Sequence, residues 1–170
     1  MKERLLAWLG LGLSLGVPAW LVIEAEALLA EGSPVLLDLA PRDPRSLMQG
    51  DYMVLRYSIA REARDDARHE HWPTDGSLVI VLDDANVATL VRRHRGGALG
   101  EDELLLRYRL RDDGIRLGAE SYFFQEGTSK IYESARYGEL RVAPNGKALL
   151  VGLRDGAYGK LGPETVDPQK

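Results

Sequence analysis

The chemistry that the sequence could perform starts from one serine and one lysine. A serine/lysine hydrolase needs a lysine that can lose its proton close to the nucleophilic serine. Ser46 stands shortly before a glycine–aspartate pair, and Lys130 lies away from the predicted hairpin turn and the C-terminus. One hypothesis is therefore a hydrolase or small-ligand-binding protein with a pocket around Ser46 and Asp51, to which Tyr52 and Glu126 could contribute.

Three histidines raise the question of a metal site. His69 and His71 are separated by one residue, and His94 lies further along the chain. Imidazole groups bind zinc and copper. A His-x-His pair inside a highly charged segment is nevertheless typical of a solvated surface, and nothing in the sequence brings His94 close to the other two. We therefore predict neither a metal nor a cofactor.

Charge and cysteine content exclude several functions. The chain of 170 residues has a net charge of −4 and a pI of about 5.4, whereas nucleic-acid binding requires a basic surface. Cysteine is absent, which excludes disulfides, cysteine catalysis and thiolate metal sites. One local basic segment, Arg92, Arg93 and Arg95, could contact lipid phosphates or an acidic partner.

A short motif stands out in the first third of the chain. Gly50, Asp51, Tyr52, Leu55 and Tyr57 have the spacing G-D-Y-x-x-L-x-Y. Glycine permits a positive φ at a strand entry, and aspartate accepts hydrogen bonds from turn amides. In a strand Leu55 and Tyr57 share the inward face, whereas Tyr52 lies on the opposite face. The motif therefore predicts either a fold-defining turn or part of a binding surface.

These five residues make the sequence resemble the GDYXXLXY protein family, and the likeness extends over roughly residues 33–155. The segments Asp43-Pro44-Arg45-Ser46 and 122–127 also resemble the family. The resemblance implies a bacterial protein anchored in a membrane, often encoded beside multi-spanning membrane proteins. Arg45 is expected to pair with Asp43 or Asp51. The candidate binding surface comprises Asp43, Arg45, Gly50, Asp51, Tyr52, Leu55, Tyr57 and Glu126.

The elements that must position these residues are mostly strands. Alternating apolar and polar residues between turn signals predict strands over 33–39, 51–59, 77–82, 85–91, 104–110, 115–118, 122–124, 136–143 and 147–154. Residues 61–71 are a charged connector or short helix, and 128–135 could form another. Asn145-Gly146 predicts a type I′ hairpin turn. The predicted fold is a mainly antiparallel β-sandwich or barrel with one or two short helices.

The N-terminus predicts a membrane anchor. Residues Leu5 to Ile23 carry no charge, and as a helix they would extend roughly 28 Å, close to the ~30 Å hydrocarbon core of a bilayer. Lys2 and Arg4 place the N-terminus in the cytoplasm by the positive-inside rule. The alternative is a signal peptide cleaved after Ala27, but the apolar run exceeds the ~7 to 15 residues usual for one.

These inferences give the chain three parts: an anchor with a short helical stalk over 1–31, a β-rich extracytoplasmic domain over 32–155 and a flexible tail over 156–170. We expect a single-pass protein of the cytoplasmic (inner) membrane that contacts the lipid bilayer through Leu5–Ile23. Its expected role is that of a non-enzymatic accessory domain that binds or stabilises a multi-spanning membrane protein. The hydrolase or ligand-binding pocket is the alternative.

Overall fold

The structure, a computed structural model, describes residues 2–40, 48–49 and 52–162. Helices and strands fill most of these ranges. The helices are α1 (Lys2–Glu31), α2 (Ser58–His69) and a 3₁₀ helix (Ser129–Tyr132). The strands are β1 (Ser33–Asp38), β2 (Met48–Gln49), β3 (Tyr52–Val54), β4 (Asp75–Leu82), β5 (Ala88–Arg93), β6 (Glu103–Arg111), β7 (Gly114–Arg116), β8 (Ser121–Phe123), β9 (Tyr137–Val142), β10 (Ala148–Arg154) and β11 (Lys160–Leu161).

Three antiparallel sheets surround one core. Their strand orders are β1-β9-β10-β11, β2-β3-β8 and β5-β4-β6-β7. The sheets curve as half-barrels, and α2 packs against β7, β5 and β1. The predicted class, mainly β with antiparallel sheets and two helices, is confirmed.

The core forms because each strand turns its apolar face inward. Burial of these side chains supplies the main favourable free energy of folding. All three sheets and α2 contribute, through Val35, Leu37, Met53, Leu55, Tyr57, Ile59, Ala63, Leu78, Ile80, Leu106, Tyr108, Ile115, Leu140, Val142 and Leu153 among others.

The last two turns of α1 lie along the β9–β10 hairpin. Leu28 is buried, and its carbonyl accepts a 3.0 Å hydrogen bond from the amide of Gly32, where the helix ends. The Arg141 guanidinium donates to the carbonyl of Gly32 at 3.3 Å. Nearer the hairpin turn, Lys147 Nζ lies 2.8 Å from Glu24 Oε1. The hairpin turn is therefore level with the residue that follows the apolar run of α1.

The chain then crosses the domain from one end to the other. In β1, Ser33 pairs with Val142 and Asp38 pairs with Tyr137, and a strand of this length covers about 17 Å. Just beyond β1, Leu39 forms a β-bridge with Tyr57 of the motif. We call the end with the β9–β10 turn the hairpin end, and the end with Leu39, Tyr57, β3 and β8 the motif end.

The predicted strand over 51–59 is corrected by the structure. β3 ends at Val54, and α2 begins at Ser58. The charged segment that follows is therefore helical, with Ile59 and Ala63 buried on one face. These two residues are four positions apart, which places them on the same side of a helix. The alternation through Leu55 and Tyr57 persists across the extended segment before the helix.

The predicted type I′ turn is wrong, because the hairpin has a three-residue loop. The amide of Ala143 donates to Lys147 at 2.8 Å, and the amide of Gly146 donates to Ala143 at 2.8 Å. A type I′ turn would require an N–H at Pro144 to complete the pair with Lys147, and proline has none. Lys147 therefore pairs with Ala143 instead of Pro144. Within the Asn145-Gly146 dipeptide only Gly146 takes a positive φ, +81°.

The structure reports on both termini of the described chain. Over the described residues, none of the helices combines the length and the hydropathy needed to cross a membrane. The span Leu5–Ile23 therefore stays a prediction. β11, within the predicted tail, pairs with the end of β10. The predicted helix over 128–135 is a single 3₁₀ turn, Ser129–Tyr132.

Candidate functional site

Half of the candidate binding surface lies outside the described residues. This applies to Asp43, Arg45, Gly50 and Asp51, and to Ser46 of the hydrolase hypothesis. The predicted pairing of Arg45 with Asp43 or Asp51 lies outside them as well. The site is therefore built from the second half of the motif and from the strands beside it.

Leu55 and Tyr57 face the core. Both side chains are almost fully buried, Tyr57 with 1% of its surface exposed. The Tyr57 hydroxyl donates a 2.6 Å hydrogen bond to the carbonyl of Ala119. Its ring lies against Gly138, where an added Cβ would come within 2.9 Å of a ring carbon. A partner cannot reach these two side chains, so their role is to fix the strand on the core.

The environment of Tyr57 also suppresses its ionisation. Burial, and secondarily the nearby charge of Glu120, raise the pKa of Tyr57 well above its ordinary value. Glu120 is itself held in place, since its carboxylate accepts hydrogen bonds from the amides of Leu117 and Gly118. The carbonyl of Glu120 in turn accepts a 2.8 Å hydrogen bond from the amide of Leu55. The motif and the segment before β8 therefore form one hydrogen-bonded unit.

Tyr52 lies on the other face of β3, as predicted. It is directly opposite Phe123 of β8, and the two ring centroids are 5.7 Å apart. Phe123 is 74% exposed, and Val54, two residues along from Tyr52, is also exposed. We call Tyr52, Val54 and Phe123 the aromatic patch. Such exposed apolar residues are suited to contact with another protein.

A second layer of aromatic side chains lies at the same end of the domain. The ring of Tyr132 is 5.2 Å from those of both Tyr122 and Phe124. Burial, and a hydrogen bond with Tyr132, raise the pKa of Tyr122 to about 12. Tyr122 and Phe124 flank Phe123 in the sequence and turn to the side opposite to it. The aromatic patch is thus the outer surface of a strand whose inner neighbours are packed.

The remaining predicted site residues are exposed. Glu126 lies in the turn after β8, three residues beyond Phe123, and Lys130 lies in the 3₁₀ helix. A lysine base must be desolvated to lose its proton at neutral pH. The exposed position of Lys130 therefore gives the hydrolase hypothesis no support.

Two grooves lie elsewhere on the domain. The first, about 590 Å³ in volume, crosses β4, β6 and β7 and contains Arg107, Arg109 and Arg116. We call it the arginine groove. Arg109 forms a 2.8 Å ion pair with Asp75, and Arg116 pairs with Asp113. The second groove, about 520 Å³, lies between α2 and β5.

The basic segment noted in the sequence is largely paired within the chain. Arg92 forms an ion pair with Glu103, and Arg95 forms one with Glu70. The Arg93 guanidinium lies 5.5 Å from the ring centroid of Trp72. Two of its arginines are therefore paired with carboxylates of the same chain, and a contact of this segment with lipid or with a partner stays a prediction.

The described residues bring no metal site together. His69 borders the second groove, whereas the amide of His94 is bound to the carbonyl of Ser77 in the sheet. Across residues 2–40, 48–49 and 52–162, no three histidine or carboxylate side chains are grouped so that they could hold a metal ion.

Sequence reasoning missed the arginine groove and the partners of Tyr57. The alternation of Arg107 and Arg109 in the sequence indicates one strand face, but Arg116 joins them only through the pairing of β6 with β7. The contact of Tyr57 with Ala119 and Gly138 joins three distant segments. The glycine was the one available signal, since glycine inside a strand often marks close approach by another group.

Comparison with known proteins gives one positive result. The family model described as GDYXXLXY protein matches residues 14–153, which confirms the resemblance drawn from the motif. Neither the curated proteins nor the solved structures contain a significant match to the chain.

Proposed function

The chain belongs to the GDYXXLXY protein family, and from that membership and its surface we propose a non-enzymatic interaction module anchored in the cytoplasmic membrane. In this proposal α1 holds the β-rich domain on the extracytoplasmic side. The domain binds or stabilises an integral membrane protein, and it does so with the aromatic patch at the motif end. The observation that carries the proposal is the surface of α1.

Large apolar side chains are exposed around the whole circumference of α1 before Glu24. An α-helix turns about 100° per residue, so the six exposed positions fall on all sides of it. They are Leu15, Val17, Trp20, Leu21, Val22 and Ile23. A helix that is apolar all round belongs in a protein core or in a membrane, and the described domain packs only on the part of α1 that follows these residues.

The charge at the two ends of α1 supports the orientation. Lys2 and Arg4 precede the apolar run, and Glu24 and Glu26 follow it. Cytoplasmic flanks of a span are enriched in lysine and arginine. The β-rich domain then lies outside the cytoplasm.

The position of the aromatic patch indicates which part of a partner it would meet. The patch lies at the motif end, and α1 joins the domain at the hairpin end. It would therefore contact the extracytoplasmic part of a membrane protein rather than its spans. Two proteins held in one membrane meet at a high effective concentration, so an apolar contact of this small size is sufficient.

The anchor is tested by alkaline carbonate extraction of membranes that contain the full chain, together with reporter fusions at its C-terminus. We expect the chain to remain with the membrane and the reporter to be active outside the cytoplasm. Recovery of the full chain in the soluble fraction, or a reporter active inside, contradicts the proposal.

The contact is tested by a photo-crosslinking residue, p-benzoylphenylalanine, placed at Phe123 in the full chain in its native cells. The matched control carries it at Val91, an exposed apolar residue of β5. We expect the Phe123 probe to capture a multi-spanning membrane protein that the Val91 probe does not. Equal capture at the two positions, or capture of soluble proteins alone, rules the patch out.

A further inference from the structure

The arginine groove begins at the hairpin end, where Arg107 lies beside the point at which α1 joins the domain, and it extends toward the motif end as far as Leu117 and Gly118. The backbone amide of Arg107 donates to the carbonyl of Gly146 at 2.8 Å, and its side-chain Nε donates to the carbonyl of Asn145 at 3.0 Å. Lys147, which follows Gly146 in the chain, forms an ion pair with Glu24, with Nζ 2.8 Å from Oε1. Arg107 is therefore connected through the hairpin turn to Glu24, the residue that follows the apolar run.

The other two arginines follow at short intervals. Arg109 is two residues further along β6 on the same face, about 7 Å away. Arg116 of β7 pairs directly with Arg109, and the Cα atoms of two such residues are roughly 5 Å apart. The headgroup layer on each side of a bilayer is about 5 to 8 Å deep. With Glu24 at the edge of the hydrocarbon, the groove begins at the depth of lipid phosphates.

The charges in the groove leave capacity for an anion. Three guanidinium groups line it together with the single carboxylate of Asp75, and Asp113, which does not line the groove, pairs with Arg116. Among the described residues Arg107 has no acidic partner, and its side chain donates a hydrogen bond to the Asn145 carbonyl. Arg109 binds Asp75 through Nε, so the two terminal amino groups of the Arg109 guanidinium can bind an anion. Guanidinium groups bind phosphate oxygens in a bidentate manner.

We propose that the hairpin end rests on the membrane surface and that the arginine groove binds the phosphates of anionic lipid headgroups. This inference rests on the proposed anchoring through α1, and it names a second partner of the domain besides the membrane protein. Anionic headgroups attract arginines close to the bilayer, and the attraction is screened by salt.

The test uses the full chain in lipid nanodiscs and relies on the absence of cysteine in the sequence. A single cysteine at Pro144, exposed in the hairpin turn, carries a fluorophore, and a second variant carries it at Ser134, exposed near the motif end. A quencher attached to lipid headgroups reports proximity. Discs contain phosphatidylcholine alone or with about one third phosphatidylglycerol.

We expect quenching at position 144 to rise roughly twofold when phosphatidylglycerol is present, and to fall back in about 1 M salt, where the screening length is about 3 Å. Quenching at position 134 should stay low in both lipids. The double variant R107Q/R109Q should lose the rise. The matched control R61Q/R68Q removes the same charge from exposed positions of α2 and should keep it.

The outcomes separate this inference from the anchor. If the chain remains in pure phosphatidylcholine discs but shows no dependence on phosphatidylglycerol, the groove proposal is wrong and the anchor stands. If the chain is not retained in any disc, both are wrong. The assignment to lipid headgroups is also wrong if R61Q/R68Q loses the rise in quenching as R107Q/R109Q does. It is wrong as well if inorganic phosphate at constant ionic strength abolishes the rise in the unsubstituted chain.

Discussion

The two ends of the domain differ in what stabilises them. At the motif end lie both phenylalanines and every tyrosine except Tyr108, in ring contacts and in the buried hydrogen bond of Tyr57. At the hairpin end the contacts of α1 are one buried leucine, Leu28, and the polar contacts of Lys147 and Arg141. Buried aromatic contacts contribute more to stability than exposed ion pairs do.

This difference matches the two partners that we propose. A surface that binds a protein must hold its apolar side chains in place before the partner arrives, because ordering them on binding costs free energy. A surface that meets a fluid bilayer gains from arginine side chains that can adjust. The motif therefore lies at an end with buried aromatic contacts, and the arginine groove begins at the end where exposed polar contacts join α1 to the domain.

The largest effect is expected at the motif end. Replacing Tyr57 by alanine removes a buried ring and should lower the free energy of unfolding by about 3 to 5 kcal/mol. Tyr57→Phe keeps the ring but leaves the Ala119 carbonyl without its donor, at a cost of about 1 to 3 kcal/mol. Urea unfolding of the full chain in detergent, followed by circular dichroism, measures both.

The matched control for these variants is Tyr158→Phe, because Tyr158 is 40% exposed and surface changes are usually within about 0.5 kcal/mol. A loss at Tyr57 no larger than at Tyr158 would mean that the buried hydroxyl of Tyr57 contributes no more to stability than an exposed one.

The next effect concerns the hairpin turn. Gly146 has a φ of +81°, and an added Cβ would lie 3.1 Å from the Arg107 backbone nitrogen. Gly146→Ala should therefore cost about 2 kcal/mol through backbone strain and crowding. Gly156→Ala is the control, since an added Cβ there meets open space. Equal unfolding midpoints for the two variants would show that the turn is not held against β6.

A third effect sharpens the comparison through pH. The pKa of Tyr57 is raised by burial and that of Tyr122 is raised to about 12, against 10.0 ordinarily. A raised pKa contributes stability that is complete below the unfolded value, near pH 10, and is lost as the pH rises further. For Tyr57 the loss is about 1.4 kcal/mol per pH unit above 10.

The pH effect is measured as the change in unfolding free energy between about pH 9 and pH 11. Tyr57→Phe and Tyr122→Phe should each remove a comparable part of this fall, because the pKa values of both tyrosines in the folded chain lie above pH 11. Gly146→Ala, a change at the hairpin end, should leave the fall as it is in the unsubstituted chain. An unchanged slope in Tyr57→Phe would show that its hydroxyl is not protected in the folded state.

The sequence predicted the strands well and the site only in part. Period-two alternation is local, so β1, β6 and the β9–β10 pair could be placed from nearby residues. The orientation of Tyr52 away from Leu55 and Tyr57 follows from the same rule. The early start of α2 was missed because one alternating stretch runs through Tyr57 into Ile59, and the packing of Ala63 decides between strand and helix.

Contacts between distant segments account for what could not be predicted. The Tyr57 hydroxyl meets a carbonyl of residue 119, and the groove unites arginines of β6 and β7. The prediction of the turn type was wrong for a local reason, because Pro144 has no N–H to donate. The sequence alone shows this proline, so the error could have been avoided. The pairing of Arg92 and Arg95 with Glu103 and Glu70 required the sheet and α2 in place.

The smallest effect is expected where α1 meets the hairpin. Glu24 and Lys147 are 2.8 Å apart, and each side chain is 41% exposed, so solvent screens their attraction. A double-mutant cycle with Glu24→Gln and Lys147→Met should give a coupling of about 0.2 to 1 kcal/mol that decreases with salt. A coupling well above this range would make the hairpin end as rigid as the motif end. A coupling within it means that this ion pair adds little to the attachment of α1, which then depends mainly on the buried Leu28 and on the hydrogen bond from Arg141.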